Sequence, residues 1–512
     1  MAKQMKSDKC EKALRYALPP LAVFAFATAF YLLTYVPTVW YADAFTYVTH
    51  AVAWHRGDGV YHFPLHHLDY IGWIWLVSLL PATRVATACN AVSILLAAKA
   101  LSIFFTVLAA VGVYLVAKRL FASTKFALVV AVLFAANPII WLEGQAALSD
   151  LPAVALMIFS YLFLVRFWQG RKWFDLAIGA FIASLAGVVR AESLLILVVY
   201  LVTIIAVAAL GRQPLAVRLK TFLKLGIIVG VCSATLPLLV FGLPWQLKSA
   251  VMPLSLPSLK DLLIGWKWYA LRDIGWVWFL LAWAGLAVGL WRRSTRPLAL
   301  GLVALIVIGS SYFASDNQTG ADIPRFLVPT IPFTLLGIGF LWSASRKRAA
   351  TVAIALLTVT YVIMVFVGLK SPYVPGSKEP SALAKVFALP YYLAANASGG
   401  YVNPPPALMY YNAVRTVLPD GVAIILQGND DLNGAYEVNL SIKPPMRIIK
   451  IDQSLPESER FSELSSLPEG KPILVYPGSD DAAIRTQLTE NGFASQGSVC
   501  GAALFLKSKA AS

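Results

Sequence analysis

A single carboxylate follows the first long apolar stretch of the chain, in VPTVWYADAFTYVTH, and this residue, Asp43, is well placed to take a proton. A carboxylate where an aqueous cavity meets lipid can act as general base on an acceptor hydroxyl. An aspartate there is equally a good N-cap for the amphipathic stretch that follows. Asp150 opens ALSDLPAVALMIF, where Ser-Asp before proline is also a helix-start signal. Glu143 lies a few residues earlier, and the two acids together are suited to positioning an acceptor. Arg190 and Glu192 sit in VVRAESLL between two apolar stretches joined by almost no loop, and Arg325 sits in ADIPRFLVPTIPF. Ionisable groups at membrane depth are expensive and mark function by default. Guanidinium matches the geometry of phosphate, so both arginines suit an anion clamp. The alternatives are an ion pair of Arg190 with Glu192 or with a neighbouring helix, and a snorkelling Arg325.

All five histidines, His50, His55, His62, His66 and His67, fall in one stretch, with Asp58 and Asp69 interleaved. Such clustering suits a metal, but no ligand spacing matches a known pattern. The other reading is a polar, aromatic-rich loop in which His62 and His66 line a sugar site. The four cysteines, Cys10, Cys89, Cys232 and Cys500, are scattered without a CxxC pair, which supports neither a disulfide framework nor a zinc knuckle.

These residues need a scaffold, and composition says which kind. Of the 512 residues 59% are hydrophobic and 13% charged, with mean hydropathy +0.70. Soluble domains carry roughly 25% charged residues. The chain therefore reads as an integral, multi-pass membrane protein of a cell or plasma membrane. Its net charge of +16 sits in short basic runs between apolar segments, which fits topology signals and not nucleic-acid binding. A span needs about 20 apolar residues. Eleven candidates are centred near Ala27, Leu108, Leu133, Ile158, Ile182, Leu201, Val231, Trp283, Ile306, Leu335 and Leu357. The stretches Ile71–Leu80 and Ala91–Ala98 are apolar but short, and suit interfacial helices. The uncharged run from Tyr16 to Ala42 is too long for a signal-peptide core and reads as an uncleaved first span.

Basic clusters at Lys118-Arg119, Arg166 to Lys172, Arg212 to Lys224, Arg292 to Arg296 and Arg346 to Arg348 fall in alternate connections. The positive-inside rule puts them and the N-terminus in the cytoplasm. The first loop, residues 41–97, and everything after Lys370 are then outside, as are the sequons at Asn317, Asn396 and Asn439. The division expected is a transmembrane domain, 1–370, and an extracytoplasmic domain, 371–512. The tail has β-like runs from Val422, Met446, Lys471 and Ala502, with a helical or turn stretch from Ser479 to Asn491, so it reads as a small α/β domain.

The order of motifs resembles a family. The first span is followed by Asp43-Ala-Phe-Thr-Tyr47 and by Gly59-Val-Tyr61-His-Phe-Pro64-Leu65. LVAKRLF closes the second span, ALSDLPA opens the fourth, and IPRFLVPTIPF lies near the tenth. The first 370 residues resemble the GT-C glycosyltransferases, in the branch of protein O-mannosyltransferases and aminoarabinose transferases. The resemblance implies a sugar taken from a polyprenyl-phosphate donor at the outer membrane face. The sugar passes to a hydroxyl of a lipid, glycan or protein, with inversion. It implies Asp43 as general base and Asp150 as the second acid, which holds the acceptor. Arg190 and Arg325 would receive the leaving phosphate, an assignment made from charge and topology. Tyr47, His62, His66, Glu143 and Glu192 would contact substrate. No cofactor is required, because arginines neutralise a monophosphate; a divalent metal at the histidine loop is the alternative. The chain departs from the branch at Ala44, where many members have a second acid, and at His62-Phe-Pro-Leu, where many have Lys-Pro-Pro-Leu. It has no DxD motif in the second outside loop and no WWD-type motif in the tail, which separates it from the oligosaccharyltransferase branch. A transporter or flippase, or a non-catalytic assembly protein, are the competing readings. Transporters place ionisable groups near the midplane of repeated halves, whereas these lie at outer helix ends.

Overall fold

The computed structural model describes residues 2–35, 42–55, 68–84, 91–209, 214–241, 274–292, 294–316, 328–344, 348–370, 422–426, 447–451, 462–464, 466–467, 469–475 and 482–507, with single residues at 263, 266, 270 and 417. The chain forms two compact units, Met1–Val36 with Ser102–Gly400, and Pro37–Leu101 with Tyr401–Ser512.

The first unit is helical. Its described helices are α1 (Ala2–Leu33), the later part of α5 (Ala91–Phe121), α6 (Thr124–Ala135), α7 (Pro138–Gln145), α8 (Asp150–Gly170), α9 (Trp173–Val189), α10 (Ile196–Ala209), α11 (Leu215–Phe241), α12 (Trp276–Trp291), α13 (Arg296–Asp316), α14 (Ile331–Ala344) and α15 (Arg348–Lys370). Each of the eleven expected centres falls inside one of them. Among the described residues three helical segments, Ile94–Phe121, Asp150–Gly170 and Glu192–Ala209, are long and apolar enough to cross a bilayer. Six further apolar helices run 10–17 residues. In α11 the first turns carry Arg218, Lys220 and Lys224 before the apolar run begins. The protein is a polytopic, α-helical membrane protein.

Two details differ from the sequence reading. The span expected around Leu133 is broken: α6 and α7 meet at 58°. The break is local chemistry, because Asn137 and Pro138 follow Ala136. Proline cannot continue the α6 hydrogen-bond ladder but suits the first turn of a new helix. The Asn137 carboxamide oxygen accepts from the N–H groups of Ile139 and Ile140 at 3.0 and 3.2 Å, which caps α7. The stretch Ala91–Ala98 is not a separate interfacial helix; it forms the first turns of α5, a single helix of 31 residues.

Close packing in this unit uses small residues, as expected where lipid offers no hydrophobic drive between helices. A Cβ on Gly285 of α12 would overlap the carbonyl of Gly337 on α14, and one on Gly337 would lie 2.7 Å from the Ala282 carbonyl.

The second unit contains α2 (Ala42–His55), α3 (Leu68–Ser78), the short α4 (Pro81–Arg84) and the start of α5. It also contains a five-stranded sheet in the order β2-β1-β3-β5-β4. The strands are β1 (Val422–Leu426), β2 (Arg447–Ile451), β3 (Pro472–Val475), β4 (Phe493–Val499) and β5 (Ala502–Lys507). β2, β1 and β3 are parallel, with Val422 opposite both Arg447 and Ile473, while β5 runs antiparallel to β3 and β4. The helix α16 (Ala482–Glu490) buries Ile484 and Leu488 in a core with Ile449, Ile473, Val475, Phe493 and Phe505. Four strands and the helix match the expected runs. β4 was not expected: only Phe493 of its residues is buried, and its pairing is irregular between Ser495 and Ser498. Such an edge strand lacks the apolar alternation that signals a strand. Cys500, in the turn after β4, is disulfide-bonded, a bridge that scattered cysteine spacing did not signal; Cys232 is free.

Replacing Gly285 or Gly337 by leucine is expected to force α12 and α14 apart. The melting temperature in detergent should fall well below that of the unmodified protein, by the equivalent of about 1–3 kcal/mol or more. The same exchange at Gly226, where a Cβ meets nothing within 4 Å, should leave it unchanged.

Candidate functional site

The polar site of the helical unit is built on a helical hairpin. α8 has 21 residues and α9 has 17, and they are joined by Arg171 and Lys172, so the start of α8 and the end of α9 return to the same end. Asp150 is the first residue of α8 and Arg190 follows the last residue of α9. The Arg190 Nη1 lies 2.9 Å from the Asp150 Oδ1. Both side chains are buried, at 2% and 0% exposure. Arg190 leaves the helix in an extended conformation, φ −154°, and the chain re-enters a 3-10 turn at Ala191–Leu195. That reversal turns Glu192 back, so that its Oε2 lies 3.4 Å from the Arg190 Nε.

Desolvating one ion in a low-dielectric interior costs several kcal/mol, which a close partner offsets. The Arg190–Asp150 pair meets that requirement with its shortest contact, and Glu192, at 19% exposure, adds a second carboxylate on the wetter side. The three groups together carry a formal charge of −1. Both pairings considered for Arg190, with Glu192 and with a neighbouring helix, therefore occur together.

α7 is fixed just before this site. Trp141 Nε1 donates to Thr34 Oγ1 at 2.8 Å, Gln145 Nε2 donates to the Thr34 carbonyl at 3.2 Å, and Tyr31 OH donates to the Ile140 carbonyl at 3.1 Å. Gly144 lets α7 approach this closely, because a Cβ there would come within 2.8 Å of Thr106 Oγ1 and 2.9 Å of the Tyr31 ring. Glu143, beside it, is fully buried. A left-handed Ala147, φ 56°, turns the chain from α7 towards Asp150. Deeper in the unit, Ser160 Oγ donates to the Gly179 carbonyl at 2.8 Å and Tyr200 OH to the Ser160 carbonyl at 2.9 Å, which ties α8, α9 and α10 together.

In the second unit Asp43 falls in the first turn of α2, and its side chain lies outside the described residues. Tyr47 of the same helix is buried edge-on against Trp73, with ring centroids 6.3 Å apart. Of the histidines, His55 Nε2 hydrogen-bonds to the Ser78 carbonyl, which links α2 to α3. Burial lowers the pKa of His50 from its ordinary value to about 3, so His50 is neutral at physiological pH. His62, His66 and Arg325 lie outside the described residues. Among the described residues no group of three or more His, Cys, Asp or Glu side chains is arranged to hold a metal. Lys99, within α5, is completely buried. It was missed in the sequence because a single lysine inside AVSILLAAKALSIFF has no spacing to mark it; only its burial does.

No family model and no curated protein matches the sequence. Solved structures do match in shape. ArnT from Cupriavidus metallidurans in the apo state has a TM-score of 0.51 at 14% identity, covering 95% of this chain and 97% of that one. The same enzyme bound to undecaprenyl phosphate has 0.50 at 12% identity, with the same coverage. The Archaeoglobus fulgidus oligosaccharyltransferase in complex with Zn and sulfate has 0.53 at 12% identity, covering 95% of this chain and 73% of that one. The likeness shows the fold, which is the GT-C membrane fold.

Arg190→Met removes the guanidinium that lies 2.9 Å from the buried Asp150. It is expected to lower stability by about 3–5 kcal/mol. The double substitution Asp150→Asn with Arg190→Met should recover most of that loss. Thermal unfolding of the four combinations in one detergent measures the coupling, and additive losses would show that the pair is not the organising contact.

Proposed function

We propose that this protein is an inverting glycosyltransferase that moves a sugar from a polyprenyl-phosphate donor to a hydroxyl of a lipid, glycan or protein at the outer membrane face. The observation that carries the reading is a GT-C fold extending over 95% of the chain, with a buried Asp150–Arg190–Glu192 cluster at one end of α8. Two of the similar solved structures support a lipid-phosphate donor: one is bound to undecaprenyl phosphate, and another, AglB from Archaeoglobus fulgidus, is in complex with an inhibitory peptide and a dolichol-phosphate.

In this scheme Asp43 takes the proton of the acceptor hydroxyl as its oxygen attacks the anomeric carbon. The bond from that carbon to the phosphate oxygen breaks on the opposite face, which inverts the centre. The polyprenyl phosphate leaves with the electron pair of the broken bond. Arg190 and Arg325 meet the charge developing on it, a preorganised electrostatic term of the kind that dominates enzyme catalysis. Asp150, held in one orientation by Arg190, positions the acceptor, and Tyr47, His62, His66, Glu143 and Glu192 shape the substrate site. Arginine neutralisation removes the need for a cofactor; a divalent metal at the histidine-rich loop is the alternative. The positive-inside rule supports a cytoplasmic N-terminus and an extracytoplasmic C-terminal domain, with a transmembrane domain at 1–370 and the outer domain at 371–512.

The test is transfer from a panel of polyprenyl-phosphate sugars by the full chain in nanodiscs. Asp43→Asn should reduce turnover by about 10²–10⁴-fold, the usual contribution of a general base, with little change in melting temperature. Full transfer by Asp43→Asn would overturn the mechanism. Solute movement into sealed vesicles without sugar transfer would favour a transporter.

A further inference from the structure

At the end of α8 away from Asp150, about 31 Å along a 21-residue helix, the chain makes an uneconomical choice. α8 stops at Gly170, and Arg171 takes the left-handed conformation, φ 55°, ψ 22°. Glycine is the usual residue at that position, and a Cβ there costs roughly 1–2 kcal/mol. The glycine stands one residue early, at 170, where a Cβ would meet nothing within 4 Å. An arginine kept in a conformation that disfavours it points to a use for its side chain.

The surroundings indicate the use. The Arg171 guanidinium lies over the Trp168 ring, 4.2 Å from its centroid. Trp168 Nε1 donates to the Ser294 carbonyl at 3.2 Å, which holds the indole against the Arg292–Arg296 turn. Gln169 Nε2 donates to the Arg119 carbonyl at 3.0 Å, which brings the end of α5 to the same place. The nearby cations mostly have partners. Arg166 pairs with Asp175 at 3.0 Å, Arg292 donates to the carbonyl and hydroxyl of Ser343, and Arg296 donates to the carbonyls of Leu290 and Trp291. Arg171 and Lys172 are exposed and meet no acceptor among the described residues. Trp173 and Phe174 follow directly, at 59% and 60% exposure, and aromatic rings of this kind settle at the headgroup level of a bilayer.

We propose that Arg171 and Lys172, backed by the Trp168 ring, bind the phosphate of an anionic phospholipid headgroup. A guanidinium fixed on an aromatic face presents its donor edge to phosphate with little further ordering. The exposed rings beside it favour a lipid over a free phosphate. The inference is independent of the transferase reading, because it concerns the opposite end of α8.

Arg171→Gly tests it, since it removes the charge and supplies the residue that the left-handed position prefers. In neutral detergent its melting temperature should equal or exceed that of the unmodified protein. Its affinity for phosphatidylglycerol, measured by native mass spectrometry, should fall about fivefold, the effect of one basic residue at an anionic surface. Arg171→Lys should fall between the two, and phosphatidylcholine should bind all three alike. Unchanged phosphatidylglycerol affinity in Arg171→Gly would overturn the proposal. So would stabilisation by inorganic phosphate equal to that by the lipid, or a melting temperature lowered in the absence of anionic lipid.

Discussion

The helical unit is organised around one buried contact, the ion pair of Arg190 with Asp150. A membrane protein has little water with which to solvate a charge, so two ions at 2% and 0% exposure must find each other or neutralise. Their meeting fixes more than a hydrogen bond. It sets the register of α8 against α9, holds the extended break after Val189, and turns Glu192 back towards the same guanidinium. A carboxylate whose oxygen is directed by a fixed arginine keeps one orientation.

Around that contact the chain departs from continuous helix where its local chemistry allows. Asn137 and Pro138 bend α6 into α7, Ala147 adopts a left-handed turn, and Arg190 is extended. The first of these is well satisfied: Asn137 caps α7, and Thr34 accepts hydrogen bonds from both Trp141 and Gln145. Non-helical backbone at membrane depth is tolerated only where it is buried in protein or lines a cavity. Three such breaks flank the buried acids at the Asp150 end of the helices.

Much of this was legible in the sequence, for identifiable reasons. Long apolar runs located every helix from α1 to α15 that was expected to span, because hydropathy over about 20 residues is a strong signal. The residue types of the site were also visible, since Asp150, Arg190, Glu143 and Glu192 are conspicuous in apolar surroundings. Which of them touch was not. Asp150 and Arg190 are 40 positions apart and meet only because α8 and α9 form a hairpin. Lys99 was hidden because one basic residue in an apolar run carries no pattern, and β4 because an exposed edge strand shows no alternation.

Whether this polar end of the bundle receives a lipid phosphate decides the proposed function. The most direct measurement is a cryo-electron-microscopy structure of the full chain in nanodiscs with undecaprenyl phosphate added. The expected result is phosphate density within hydrogen-bonding distance of Arg190 or Arg325. Phosphate bound away from both arginines would contradict the proposed function.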